Sequence, residues 1–215
     1  TTYAPVERLR ELFDTIYEFP PIVGLAVGTR PDCIDNEKLV LIDHYARTHM
    51  VWLEYGLQSI KDETLAFINR GHSFKQFLDA IEMTRSYPNI YVCVHVIIGL
   101  PGEDLPLVRS TAEQLSTLPI HGIKIHPLHA VKGTKLAHLV EEGAISFLQL
   151  DEYVTRCCDL LEHIPSHIVV QRVTADVVND LLIAPAWLTD KRAVLNAIDA
   201  EFKRRGTRQG VRVKR

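Results

Sequence analysis

Tyr91-Val-Cys-Val-His-Val-Ile-Ile-Gly-Leu-Pro-Gly-Glu103 decides how this chain folds. A β-branched apolar run carrying one histidine, His95, stops at Gly99-Leu-Pro-Gly102, and a helical pattern starts directly afterwards. The stretch reads as a buried strand, a short turn and a helix N-terminus. Gly99 and Gly102 let backbone approach a ligand closely, Pro101 stiffens the turn, and a helix opening near Glu103 and Asp104 aims free N–H groups outward. The same glycines also suit a plain tight βα loop, so the turn alone leaves both readings open.

Working outward, the same alternation recurs. Apolar strands are expected at residues 22–27, 51–57, 120–126 and 168–171, in addition to the opening one. Between them lie helical patterns. One follows Pro5 through Val6, Leu9, Leu12, Phe13 and Ile16, and one is capped by Asp35 or Asn36. Another covers 62–69, with Gly71 in the role of C-terminal glycine, and the next opens on a Ser73/Gln76 capping box. Further helices are expected at 104–118, 134–142 and 150–163, and a last one runs from the Asp190 cap to before Gly206. Residues 172–189 read as irregular or weakly helical.

Strands alternating with helices imply parallel βα units joined by right-handed crossovers. Five strands are too few for a closed eight-stranded barrel, yet polar residues gather at their ends as on the active face of one. The expected class is therefore α/β, an incomplete parallel (β/α) barrel with about five strands. A doubly wound sheet is the weaker reading, because Gly28-Thr29-Arg30 matches a glycine-rich phosphate turn poorly. Residues 1–171 are expected to form the partial barrel and 172–215 a C-terminal extension with a helix and a basic tail.

The chain has 215 residues, 47% hydrophobic and 24% charged, with a net charge of -3, which suits a globular domain and argues against a polyanion partner for the whole surface. Charge is uneven: residues 203–215 hold seven Lys or Arg and no acid. A solvated tail is the plain reading, and an RNA contact would show as an affinity falling steeply with salt. No apolar run reaches membrane-spanning length. Cys33, Cys93, Cys157 and Cys158 form neither a disulfide ladder nor a CxxC pair, which suits a reducing cytoplasm. The first helical pattern begins almost at Thr1, so an absent upstream part is expected.

With the strands as parallel neighbours, one mouth would collect Thr29, Arg30, Asp32, Glu54, Gln58, His95, Gly99, His126 and His129, with Arg70 leaning over it. A carboxylate and amide for hydroxyls, a guanidinium for a carboxylate and apolar strand surface for a flat ring suit a ligand of nucleoside plus amino-acid type. Plainer readings stand beside this one. Glu54 and Arg70 could form an internal ion pair. His95, His126 and His129 could hold a hydrolytic zinc. The chain could also bind a nucleotide-like ligand without catalysis.

Gly28-Thr-Arg-Pro-Asp32, Glu54-Tyr-Gly-Leu-Gln-Ser59, Asn69-Arg-Gly-His72, Ile98-Gly-Leu-Pro-Gly-Glu103 and Lys124-Ile-His-Pro-Leu-His129 together resemble radical S-adenosylmethionine (SAM) enzymes. Their order and spacing are similar to the YhcC/YtqA-type branch, related to the Elongator catalytic subunit and oxygen-independent coproporphyrinogen oxidase. The resemblance implies SAM and a [4Fe-4S] cluster as cofactors. It further implies reductive cleavage of SAM to a 5′-deoxyadenosyl radical on an unassigned substrate, with RNA among the candidates. It assigns Gln58 and Arg70 to the methionine and ribose portions, Glu54 to the ribose or to support of Arg70, Ile97 to adenine, and the turn at Gly99 beside it. Thr29, Arg30 and His126 join the cofactor set by position. His95 departs from the related oxidases, which carry Asp there.

No CxxxCxxC cluster motif occurs in the sequence. The cluster ligands are therefore expected upstream, and the chain alone is not expected to hold a cluster or cleave SAM. An edge strand left open by the missing part would seek cover, for example in a homodimer.

Overall fold

The computed structural model describes residues 2–213, the side chain of residue 179 apart. Helix α1 (Val6–Asp14) leads through a 3-10 turn to strand β1 (Gly24–Thr29), α2 (Asn36–Ala46) returns to β2 (Met50–Gln58), and α3 (Asp62–Phe67) and α4 (Phe74–Thr84) return to β3 (Ile90–Ile98). Then come α5 (Leu105–Ser116), β4 (Gly122–Pro127), β5 (Ala130–Val131), α6 (Lys135–Glu141), α7 (Leu150–Glu162), β6 (Val169–Arg172), β7 (Leu182–Ala184) and α8 (Lys191–Arg205). The main sheet has five strands in the order β1-β2-β3-β4-β6, with β1-β2 and β2-β3 parallel. The α/β alternation with five strands is as expected. The chain divides into two compact units, residues 1–96 with 118–123 and residues 97–117 with 124–215.

In the first unit, alternation along β2 sends Val51, Leu53, Tyr55 and Leu57 into the core, each with no exposed surface. Trp52, Glu54, Gly56 and Gln58 take the other face by the same alternation. Tyr45, Ile42, Phe77 and Ile81 from α2 and α4 complete the core. The buried Tyr55 hydroxyl is satisfied by Thr84 at 2.7 Å, which removes the cost of a lone polar group. The Ser73/Gln76 capping box forms as expected.

Two expectations shift. Strand β1 begins at Gly24 rather than Ile22, since Ile22 and Val23 are exposed and a Cβ at Gly24 would lie 2.2 Å from the Met50 carbonyl oxygen. The close approach of two strands, not hydrophobicity, sets that boundary. The left-handed residue closing α3 is Asn69 (φ 51°), with Asn69 N–H bonded to Ala66 O and Arg70 N–H to Leu65 O. Asparagine tolerates this conformation, so Gly71 is free for another use.

In the second unit α7 is the central element, packing against α5 and α8 and burying Tyr153, Cys157, Cys158 and Leu161. Asp104 caps α5 and accepts from Leu107 N–H at 3.0 Å. This places a carboxylate where the sequence suggested an open anion site, while Arg156 holds the Glu103 carbonyl at 2.8 Å. The plain loop reading thus gains support at this turn. Residues 172–189 include β7, which pairs antiparallel with β5. The tail is tied down rather than loose: Arg212 and Arg205 donate to the fully buried Glu162, as does Thr207 at 2.7 Å. Residues 214 and 215 of the basic run lie outside the described residues.

Candidate functional site

Strand β2 does not end cleanly. The β2-β3 register shifts between Gly56 and Gln58, and Gln58 takes a φ of 73°, a costly conformation for a residue with a Cβ. The bulge presents the Gly56 carbonyl to the segment after α3. Arg70, placed directly behind the Asn69 turn, donates to that carbonyl through Nη2 at 2.8 Å and Nε at 3.1 Å. Glycine at 56 leaves room for the two side chains, because a Cβ there would stand 2.1 Å from Arg70 Nη2 and 2.7 Å from the Gln58 amide nitrogen and would push them aside.

Arg30 and Arg70 lie close together but differ in their partners. Arg30, behind β1, makes a two-pronged ion pair with Asp32, with Nε at 2.9 Å from Oδ1. That pairing lowers the Asp32 carboxyl and raises the Arg30 guanidinium from their ordinary values. Gly71 gives Arg30 room, since a Cβ there would lie 3.1 Å from Arg30 Nη1. Among the described residues Arg70 bonds a neutral carbonyl and an imidazole. Burial, and then the charge of Arg30, lower its affinity for its proton, yet a guanidinium stays charged at any working pH. Among the described residues its Nη1 has no protein acceptor. The planar fork of a guanidinium suits a carboxylate.

His72 was not singled out from the sequence. It is 7% exposed, with Nε2 3.2 Å from Arg70 Nε and 3.1 Å from the Gly56 oxygen, and Nδ1 3.2 Å from the Ser73 oxygen. Burial first, and Arg70 after it, lower its pKa from the ordinary 6.5, so the ring is neutral near pH 7. The signal available was a glycine inside a strand pattern, which marks close approach of another group.

Glu54, buried, meets His95 on the neighbouring strand with 2.8 Å between Oε2 and Nε2. This pair offers acceptors and a donor to hydroxyl groups. Thr29 is 8% exposed and its hydroxyl pairs with that of Thr2, so it serves the wall of the unit. Gln58 lies beside Gly56 with its amide near Arg70's fork. In the second unit Ile97 is half-exposed. Gly99 has a φ of 96° and packs on Leu148. His129 Nδ1 lies 3.0 Å from the Pro127 oxygen, and His126 lies within electrostatic reach of Asp176. Among the described residues no three His, Cys, Asp or Glu side chains are grouped to hold a metal ion, and no helix is long and apolar enough to cross a membrane.

Residues 1–115 match the Radical SAM superfamily and residues 120–204 the Radical SAM C-terminal domain. The Bacillus subtilis protein YtqA is 39% identical over 209 residues, covering 97% of this chain and 65% of YtqA. The chain therefore spans about two thirds of that relative's length. The solved structure of archaeal Methanocaldococcus infernus Elp3 superposes with a TM-score of 0.74 at 21% identity, over 87% of this chain and 43% of that one. Coproporphyrinogen III oxidase of Escherichia coli, described as a radical SAM enzyme, gives 0.53 at 14% identity, over 95% of this chain and 38% of that one. The expected partial (β/α) barrel is the fold shared with these structures. With one family matching more than half of its residues, and a relative similar along nearly all of them, the chain belongs to the radical SAM superfamily.

Proposed function

We propose that the first unit holds the methionine carboxylate and the ribose of SAM, as the cofactor-binding portion of a radical SAM enzyme. One observation carries this reading: Arg70 is a half-buried guanidinium held by Gly56 and His72 with no carboxylate partner among the described residues, while neighbouring Arg30 has Asp32. The Arg70 fork takes the carboxylate, Gln58 adds an amide beside it, and the Glu54–His95 pair takes ribose hydroxyls.

In such enzymes a [4Fe-4S] cluster supplies the electron that breaks SAM. The residues here do not fit a cluster: Cys93, Cys157 and Cys158 are buried apart from Cys33, and no metal-binding group forms among the described residues. The cluster ligands are proposed to lie outside these 215 residues, and this chain's contribution is to bind and orient SAM. The hydrolytic zinc reading is not favoured: among the described residues no three His, Cys, Asp or Glu side chains are grouped to hold a metal ion.

Equilibrium binding to the full-length gene product, with SAM compared against 5′-methylthioadenosine, tests the assignment, since the second ligand lacks the amino-acid carboxylate. Arg70→Ala is expected to weaken SAM roughly 10- to 100-fold, the range for a hydrogen bond to a charged group, and to leave 5′-methylthioadenosine unchanged. Equal weakening of both ligands would refute the carboxylate contact.

A further inference from the structure

We infer that His72 is a positioning residue for Arg70: its neutral ring accepts from Arg70 Nε and presents the guanidinium to a carboxylate, and its protonation releases that guanidinium. The inference rests on the SAM-carboxylate reading above and adds the residue and the switch that govern it.

The hydrogen-bond inventory fixes the ring's state. Nδ1 faces the Ser73 carbonyl, which can only accept, while Nε2 faces both Arg70 Nε–H, which can only donate, and the Gly56 carbonyl. With the proton on Nδ1, the ring donates to Ser73 and accepts from Arg70, and Gly56 is satisfied by Arg70 Nη2. With the proton on Nε2, two N–H groups oppose each other and the Nδ1 lone pair faces the Ser73 oxygen. The Nδ1–H form therefore satisfies every group. A second proton would put an N–H on Nε2, giving Gly56 to His72 and setting a cation against Arg70.

The charged groups facing the ring are Arg70 and, farther off, Asp32, which is itself paired with Arg30. Burial and Arg70 oppose protonation, whereas Asp32 and the two carbonyls favour it. The balance keeps the switch below the ordinary histidine range. Arg70 then stays in place near neutral pH and loosens in mild acid.

The test measures SAM binding to the full-length gene product from about pH 4 to pH 8, a span that reaches below the range in which an ordinary histidine titrates, with 15N NMR of the ligand-free His72 ring. The parent should show the Nδ1–H tautomer at the upper end and lose SAM affinity as the ring titrates. His72→Gln, whose amide oxygen can accept from Arg70 but cannot titrate, should bind as the parent does at high pH and keep that affinity in acid. His72→Leu should bind roughly 5- to 10-fold more weakly at both ends, about one hydrogen bond to a charged group, with no further loss in combination with Arg70→Ala. An Nε2–H tautomer, or a His72→Gln profile that falls with the parent's, overturns the inference. So does His72→Leu binding as the parent does while Arg70→Ala is impaired, and that pattern leaves the SAM-carboxylate reading standing. Arg70→Ala binding as the parent does overturns that reading, and the inference with it.

Discussion

Arg70 acts through its neighbours. Its fork is aimed by the Gly56 carbonyl, and a Cβ at 56 would sit 2.1 Å from Nη2, so the fork would have to move. Gly56→Ala should therefore displace the guanidinium and weaken SAM binding nearly as much as Arg70→Ala, while unfolding free energy falls by only about 1–3 kcal/mol, the usual cost of local overpacking. Calorimetric binding and urea unfolding of the same variant check both halves. Full SAM affinity in Gly56→Ala would contradict the geometry. At this scale the sequence disclosed charged residues better than their supports. Arg70, Glu54 and His95 stood out because a charge or ring in an apolar setting demands a partner. The pairing of Glu54 with His95 and of Arg70 with Gly56 depended on strand register and a bulge, which composition does not encode.

Among the elements, those whose ends carry their own chemistry were legible. Ser73 and Asp190 cap the helices they were expected to cap, and Asp35 is the cap of the Asp35/Asn36 pair, because capping is settled within four residues. Strands β5 and β7 were not foreseen, since two- and three-residue strands pair with distant partners and carry little pattern of their own. The tail was also misjudged as a solvated run. Glu162 at the end of α7, with no exposed surface, gathers Thr207, Arg205 and Arg212. Burial alone would raise its pKa, but those three partners outweigh burial and hold it below the ordinary 4.5. A depressed carboxylate contributes stability that is complete above its ordinary value and lost as pH falls through the depressed one. Glu162→Gln should then cost roughly 3 kcal/mol near pH 7, as breaking a buried pair does, and the gap from the parent should narrow below about pH 4. Urea titrations at several pH values give the comparison, and a pH-independent gap would contradict the charge account.

For the whole molecule, the net charge is -3, and within the basic tail Arg205 and Arg212 are committed to Glu162. Family membership and the partial barrel were legible because five short motifs keep their order along the chain, and order along a repeated βα pattern fixes position in the sheet. The division into two compact units was not legible, as the boundary falls inside β3, between residues 96 and 97, where the apolar pattern is continuous. The role proposed for Arg70 is to bind SAM for radical cleavage. The most direct measurement is 5′-deoxyadenosine formation by the full-length gene product, reconstituted without oxygen and given SAM and a strong reductant. The account predicts product from the parent, and from Arg70→Ala only at SAM concentrations roughly 10- to 100-fold higher, in line with the lost carboxylate contact. No product from a parent with its cluster intact, or an Arg70→Ala variant with unchanged SAM dependence, would contradict it.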